Sequence, residues 1–451
     1  MFLHSLRKQY PIWLLLALLL PTLAYAQSPS NPPRILESST ENHFPDNLVF
    51  HITAESDAPI KRITLFYSVR GDIGVTRQNL DFERGTHVEA QYTWDTSRSG
   101  AAPSTPVLYT WEVVDTNGNV TRSEEMLVYY HDVRFQWHEI QDEDLVVRWY
   151  DGDAAFGETL HTTARAALNR MAQESGGSLE YPVYLVVYPD QETFASWHSY
   201  VNEWVGGEAY TSMGLTVEII SPNDPYDWIQ TVIWHEIAHL FFYQAAHAAN
   251  TDWPHWMDEG IAQYYEPGDH TTALGRASAA AKEGRLIPLD TLSGSFSSDS
   301  DKALLAYAEA LSAVTYMRTH WGEAEFQALI AAIKAHQPFH DAFQQAYGIR
   351  WEEFIAQWMT WMGVPATPAP PPTATPTLAF PTAPSWYTPT PLAATVTPSP
   401  SAVPTHTPLA SPTPVSPQQD AAAPLPSPLL RAAILLLIGL FASLALRRKK
   451  Q

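Results

Sequence analysis

Residues 231–244 read TVIWHEIAHLFFYQ and place His235 and His239 four positions apart, with Glu236 beside the first. On a helix, positions i and i+4 share a face, so the two imidazoles can reach one metal ion together. Glu236 projects slightly aside from that face, within reach of a water molecule on the same ion. Two histidines on an apolar helix also arise by chance in a chain with 17 His. The stretch therefore needs a third ligand before it means anything, and its neighbourhood supplies candidates.

The chain contains no cysteine. Thiol catalysis, disulfide frameworks and Cys-based metal sites are excluded, and any metal must be held by His, Asp or Glu. Residues 254–266, PHWMDEGIAQYYE, read as the next helical stretch and offer Glu259, 20 positions after His239. Asp258 and Glu266 are competing carboxylates in the same stretch. The alternative arrangement, with Gly at 242 and His at 245, fails because those positions hold Phe242 and Ala245.

His235-Glu236-x-x-His239 followed by Trp256, Glu259, Gly260, Ala262 and Tyr264 resembles the gluzincin, or peptidase-MA-like, metallopeptidases, which carry H-E-x-x-H and then W-x-x-E-G-x-A-x-Y. The resemblance implies a thermolysin-like α+β domain holding one Zn2+ through His235, His239 and Glu259. It also implies Glu236 as general base in the hydrolysis of peptide bonds, with a peptide or protein as substrate. LLAYAEALSAVTYMRTHWG (304–322) resembles the helix that carries an oxyanion-stabilising tyrosine in these families, and the matching residue is Tyr307. WVGGEAYTSMG (204–214) sits where they place an edge strand along the substrate cleft, so Gly207, Glu208 and Ala209 become candidate substrate-binding residues by strand addition. The aminopeptidase branch has G-x-M-E-N at this element, and Gly206-Gly207-Glu208-Ala209 departs from it, which points to endopeptidase action. Metal-bound imidazoles usually donate their other N–H to a carboxylate or carbonyl. Asp258, Gln263 and Glu266 are the candidates.

Outward from this region the chain reads as multidomain α+β. Residues 1–26 carry Arg7 and Lys8, the apolar run PIWLLLALLL, and AYA before Gln27, the order of a signal peptide. Over 34–132, NLVFHITAES, IKRITLFYSVRG, HVEAQYTWDT, VLYTWEVVDT and RSEEMLVYYHD alternate apolar and polar residues, and DTNGNV (115–120) supplies an Asn-Gly hairpin turn. This predicts an antiparallel β-sandwich, and YTWEVVDTNGN (109–119) resembles late strands of immunoglobulin-like or fibronectin-III-like modules. In the peptidase-MA-like region, 133–363, LVVRWYDG and YPVYLVVYPD read as strands, AFGETLHTTARAALNRMAQESG as a helix and GEAYTSMGLTVEII (207–220) as one further strand. Helices dominate from 226 to 362.

Residues 364–428 hold 20 of the 37 prolines and read as a disordered Pro/Thr-rich stalk. LLRAAILLLIGLFASLAL (429–446) is long enough to cross a hydrocarbon core of about 30 Å and is followed by RRKK in a basic tail, 447–451. Positive residues stay on the cytoplasmic side. Both ends therefore predict an exported protein anchored in the cell membrane by one C-terminal helix, with the folded part outside. The net charge of −22 argues against a nucleic-acid partner. Two further readings stay open. One is a non-catalytic surface protein that uses the peptidase fold as a scaffold; the other is a zinc amidase acting on cell-wall peptides.

Overall fold

A computed structural model of the chain describes residues 31–97, 101–197, 207–246, 253–294, 296–297 and 299–365. The expected leader (1–26), nearly all of the Pro/Thr-rich segment, the apolar stretch 429–446 and the basic tail lie outside the described residues. Among the described residues no helix is long and apolar enough to cross a membrane. The chain divides into two compact units: 1–162 with 179–201 and 207–224, and 163–178 with 202–206 and 225–451.

The first unit is built on strands. β1 (Arg34–His43), β2 (Asn47–Glu55), β3 (Ile60–Val69), β4 (Thr76–Asn79), β5 (His87–Asp95), β6 (Thr105–Asp115), β7 (Val120–Arg122) and β8 (Met126–Tyr130) form two antiparallel sheets. One has the order β1-β2-β5; the other has the order β4-β3-β6-β7, with β8 also paired to β6. Alternation sends Phe50, Tyr67, Tyr109 and Trp111 inward. Phe50 meets Tyr109 at 5.1 Å between ring centres and Tyr67 at 5.6 Å, and Tyr67 meets Trp94 at 5.6 Å. The Asn-Gly turn lies where expected, between β6 and β7. Gly118 takes φ +89°, and the Asp115 carboxylate accepts from Asn119 N at 2.9 Å. β1 was not among the predicted strands. It is polar (RILESSTENH) and largely exposed, and it is held by backbone pairing to β2 along its length.

The same unit contains a mixed sheet of β9 (His138–Gln141), β10 (Leu145–Trp149), β11 (Val183–Tyr188), β12 (Gly207–Tyr210) and β13 (Leu215–Ile219), in the order β12-β13-β11-β10-β9. β10, β11 and β13 are parallel, while β9 and β12 are antiparallel edge strands. The parallel pair β10–β11 needs a crossover, which α1 (Ala154–Ser175) provides as it runs from the first unit into the second. β11 is buried along its whole length, and α2 (Gln191–Ala195) follows it. The single strand expected over 207–220 is two strands. A 3-10 turn over Thr211–Met213 ends in Gly214 at φ +68°, which reverses the chain into β13. The alternation of GEAYTSMGLTVEII continues through the turn, so pattern alone did not reveal it.

The second unit is helical: α3 (Tyr226–Ala245), α4 (His255–Tyr265), α5 (Thr271–Lys282), α6 (Ser300–His320), α7 (Glu323–Lys334), α8 (Phe339–Tyr347) and α9 (Trp351–Trp361). α3 is buried on nearly every side from Ile229 onward, the mark of a central helix. α4 lies against both α3 and α6. Gly260 permits the second approach, since a Cβ there would stand 2.5 Å from the Ala310 carbonyl oxygen and 2.8 Å from Val314.

α6 also buries Glu309 completely. Both its oxygens accept from Ile287 N, at 3.0 and 3.1 Å, which pins the segment after α5 onto α6. Burial pushes this carboxyl up to about 8. The folded chain thus holds a proton that the unfolded chain releases near the ordinary carboxyl value, so the fold loses stability as pH rises from about 4.5 to 8. Glu309→Gln should remove that loss. Its melting temperature relative to the parent should be unchanged near pH 4.5 and should climb through pH 8; thermal melts across the range check this, and a pH-independent difference contradicts it.

Candidate metal centre

α3 and α4 build the site between them. His235 is wholly buried, and Glu236, His239 and Glu259 are less than a tenth exposed. The His235 and His239 Nε2 atoms are 3.1 Å apart, and Glu259 Oε2 lies 3.6 Å from the first and 3.7 Å from the second. Zinc–ligand bonds of about 2.0–2.1 Å in a tetrahedron give ligand edges of about 3.3–3.4 Å. The triangle matches that size, and these three residues can hold one metal ion. Glu259 Oε2 is buried with no hydrogen-bond donor among the described residues, as a ligand oxygen would be.

The outer nitrogens settle which carboxylates support the imidazoles. His235 Nδ1–H donates to Glu266 at 2.7 Å, and His239 Nδ1–H donates to Asp258 at 3.0 Å. Trp253 Nε1–H donates to the other Asp258 oxygen at 3.1 Å. Of the three candidate partners, Asp258 and Glu266 take this role, and no such bond joins Gln263 to either imidazole. Glu259 and Glu266 are seven residues apart, two helical turns, so one face of α4 and its C-terminal cap serve the whole site. With Nδ1 protonated on each ring, Nε2 is the ligating atom.

The electrostatics are those of a dense buried cluster. Burial alone would lower His235, but the Glu259 and Glu266 carboxylates outweigh it and hold the imidazole well above its ordinary range. For His239 burial is again outweighed, by Asp258 and Glu259, and the value is raised to about 9. Burial works against ionisation of Asp258 and Glu259, yet His239 and its neighbours hold both below the usual carboxylate range.

Tyr307, on α6, is almost fully buried, and its hydroxyl has no hydrogen-bond partner among the described residues. Burial, and then the carboxylates of Glu259, Glu236, Asp258 and Glu266, push it well above the ordinary phenol range. It stands near the cluster as a protonated donor. His235, Glu236, His239, Glu259 and Tyr307 are therefore gathered in the second unit. Gly207, Glu208 and Ala209 lie on β12 in the first, with Glu208 accepting from the Tyr210 hydroxyl. Two further residues, His255 and Phe296, join the site without belonging to the sequence motif. His255 Nε2 is 3.6 Å from Glu259 Oε1, and its ring meets Phe296 at 4.7 Å. The i,i+4 spacing of His255 and Glu259 was the available signal.

Residues 163–364 match the family model described as Peptidase MA superfamily. This part of the chain has a peptidase-MA-like fold. No match is found among curated proteins. Among solved structures, an aminopeptidase N family protein from Idiomarina loihiensis is similar at 8% identity and a TM-score of 0.32, over 71% of this chain and 72% of that one. A polysaccharide deacetylase from Bacillus cereus is similar at 8% identity and a TM-score of 0.18, over 37% of this chain. The chain spans about half of that deacetylase's length, 54%.

An imidazole that carries a proton on Nε2 must give it up to take a metal. Against burial, the neighbouring carboxylates raise His235 well above its ordinary range and His239 to about 9, so the metal-free site has a proton to displace at neutral pH. Zn2+ affinity should fall as pH drops below about 9, by roughly tenfold per pH unit for each proton displaced. Titration calorimetry at pH 7 in buffers of different ionisation enthalpy should record proton release. Binding with no release and no pH dependence would contradict the arrangement.

Proposed function

We propose that this chain is a zinc-dependent peptidase that cuts within protein or peptide substrates. The observation that carries the reading is the buried triangle of His235, His239 and Glu259, with edges of 3.1–3.7 Å and each imidazole backed by its own carboxylate. The donor set and its size suit one Zn2+. Bound there, the ion would polarise the scissile carbonyl and bring a water molecule near neutral pKa.

The protein's own groups then divide the remaining work. Glu236, the neighbour of His235 on α3, takes the proton of the attacking water and returns it to the departing amine. The Tyr307 hydroxyl, a buried donor without a partner among the described residues, donates to the carbonyl oxygen as it gains charge. An extended peptide would add along β12, the terminal strand of its sheet, at Gly207, Glu208 and Ala209. Pairing along a strand edge needs no free substrate terminus, and this favours endopeptidase action.

The leader-like 1–26 and the apolar 429–446 with RRKK support a protein anchored by its C-terminal segment and facing outward. An immunoglobulin-like sandwich at 34–132 would then stand with the peptidase outside the cell.

Glu236→Gln keeps the side-chain shape and removes the base. It should lower kcat/KM on a peptide library by about 10²–10⁴-fold while bound zinc stays stoichiometric. Activity equal to the parent in that variant would rule the mechanism out. Tyr307→Phe should cost about 10²–10³-fold in kcat with KM little changed, as steady-state kinetics would record.

A further inference from the structure

We infer that His255 is a positioning residue that fixes how Glu259 presents itself to the metal, an inference that rests on the zinc reading of the site. His255 opens α4 one turn before Glu259, so the two side chains share a face of the helix. The two oxygens of Glu259 face different partners. Oε2 faces the Nε2 atoms of His235 and His239, at 3.6 and 3.7 Å; Oε1 faces His255 Nε2, at 3.6 Å.

The other two ligands each have an outer partner: Glu266 for His235 and Asp258 for His239. His255 completes the set for the third. Its Nε2 is buried and has no hydrogen-bond partner among the described residues, and the Glu259 carboxylate is its ion-pair neighbour. Closing to hydrogen-bond length takes a movement of less than about 1 Å. The ring is held for this task. It packs edge-on against Phe296 at 4.7 Å, and Phe296 packs against Tyr307 at 4.8 Å.

A carboxylate with both oxygens free can swing between one-oxygen and two-oxygen coordination. An N–H on Oε1 ties up that oxygen and leaves Oε2 as the single ligand atom, which keeps a coordination position open for water and substrate. Both the imidazolium and the neutral Nε2–H tautomer can donate, so the role does not require a charge.

Zinc affinity of the full chain, measured by competition with a chromophoric chelator, tests this directly. His255→Ala should weaken binding by about 10–100-fold. His255→Gln, whose amide N–H can reach the same oxygen, should recover most of the loss. With Co2+ in place of zinc, the visible absorption of His255→Ala should weaken towards that of a higher-coordinate site as Glu259 turns to bind through both oxygens. Parent-like zinc affinity and an unchanged Co2+ spectrum in His255→Ala would overturn the inference. So would a His255→Gln variant that folds, by circular dichroism, but binds zinc no better than His255→Ala. A parent chain that binds no zinc would instead overturn the reading on which the inference rests.

Discussion

The helical unit depends on packing two buried imidazoles against one buried carboxylate, Glu259, and two half-buried ones, Asp258 and Glu266. α3 places His235 and His239 out of water, where an isolated charge costs several kcal/mol. α4 brings Asp258, Glu259 and, at its C-terminal end, Glu266 against them. Each group offsets the desolvation of another. Sliding α4 by one turn, about 5.4 Å, would separate every pair at once, so polar matching sets the register of these helices as firmly as apolar packing does.

That register is held from behind by α6. Gly260 lets the α4 backbone approach Ala310, and the helix that benefits is the one carrying Tyr307. The glycine next to Glu259 is thus a packing requirement with a chemical consequence. It sets the depth at which a phenol meets the carboxylates of the site, and burial, with those carboxylates, keeps the phenol protonated. Phe296 joins the same arrangement, with His255 on one side and Tyr307 on the other.

Much of this was legible in residue order because the chemistry is local. A four-residue spacing on a helix dictates that His235 and His239 point together, whatever surrounds them. The alternating strands β2, β3, β5 and β6, the Asn-Gly turn and the long helix α1 follow from periods of two and of 3.6 in the same way. β1 escaped because its stability comes from its neighbour's backbone rather than from its own apolar residues. The break between β12 and β13 escaped because Gly214 interrupts the chain's direction without interrupting the alternation.

By itself the sequence determined the composition of the site: two histidines, a glutamate between them, and a carboxylate-rich helix start with no cysteine to compete. Tertiary structure alone decided which carboxylate backs which imidazole. The resemblance in sequence marks Glu259 as the third ligand, and only the packing of α4 across α3 gives Glu266 to His235 and Asp258 to His239. The reason is geometric. Which oxygen meets which nitrogen depends on the distance and crossing of α3 and α4, and these follow from the packing of α4 against both α3 and α6, which residue order alone does not state.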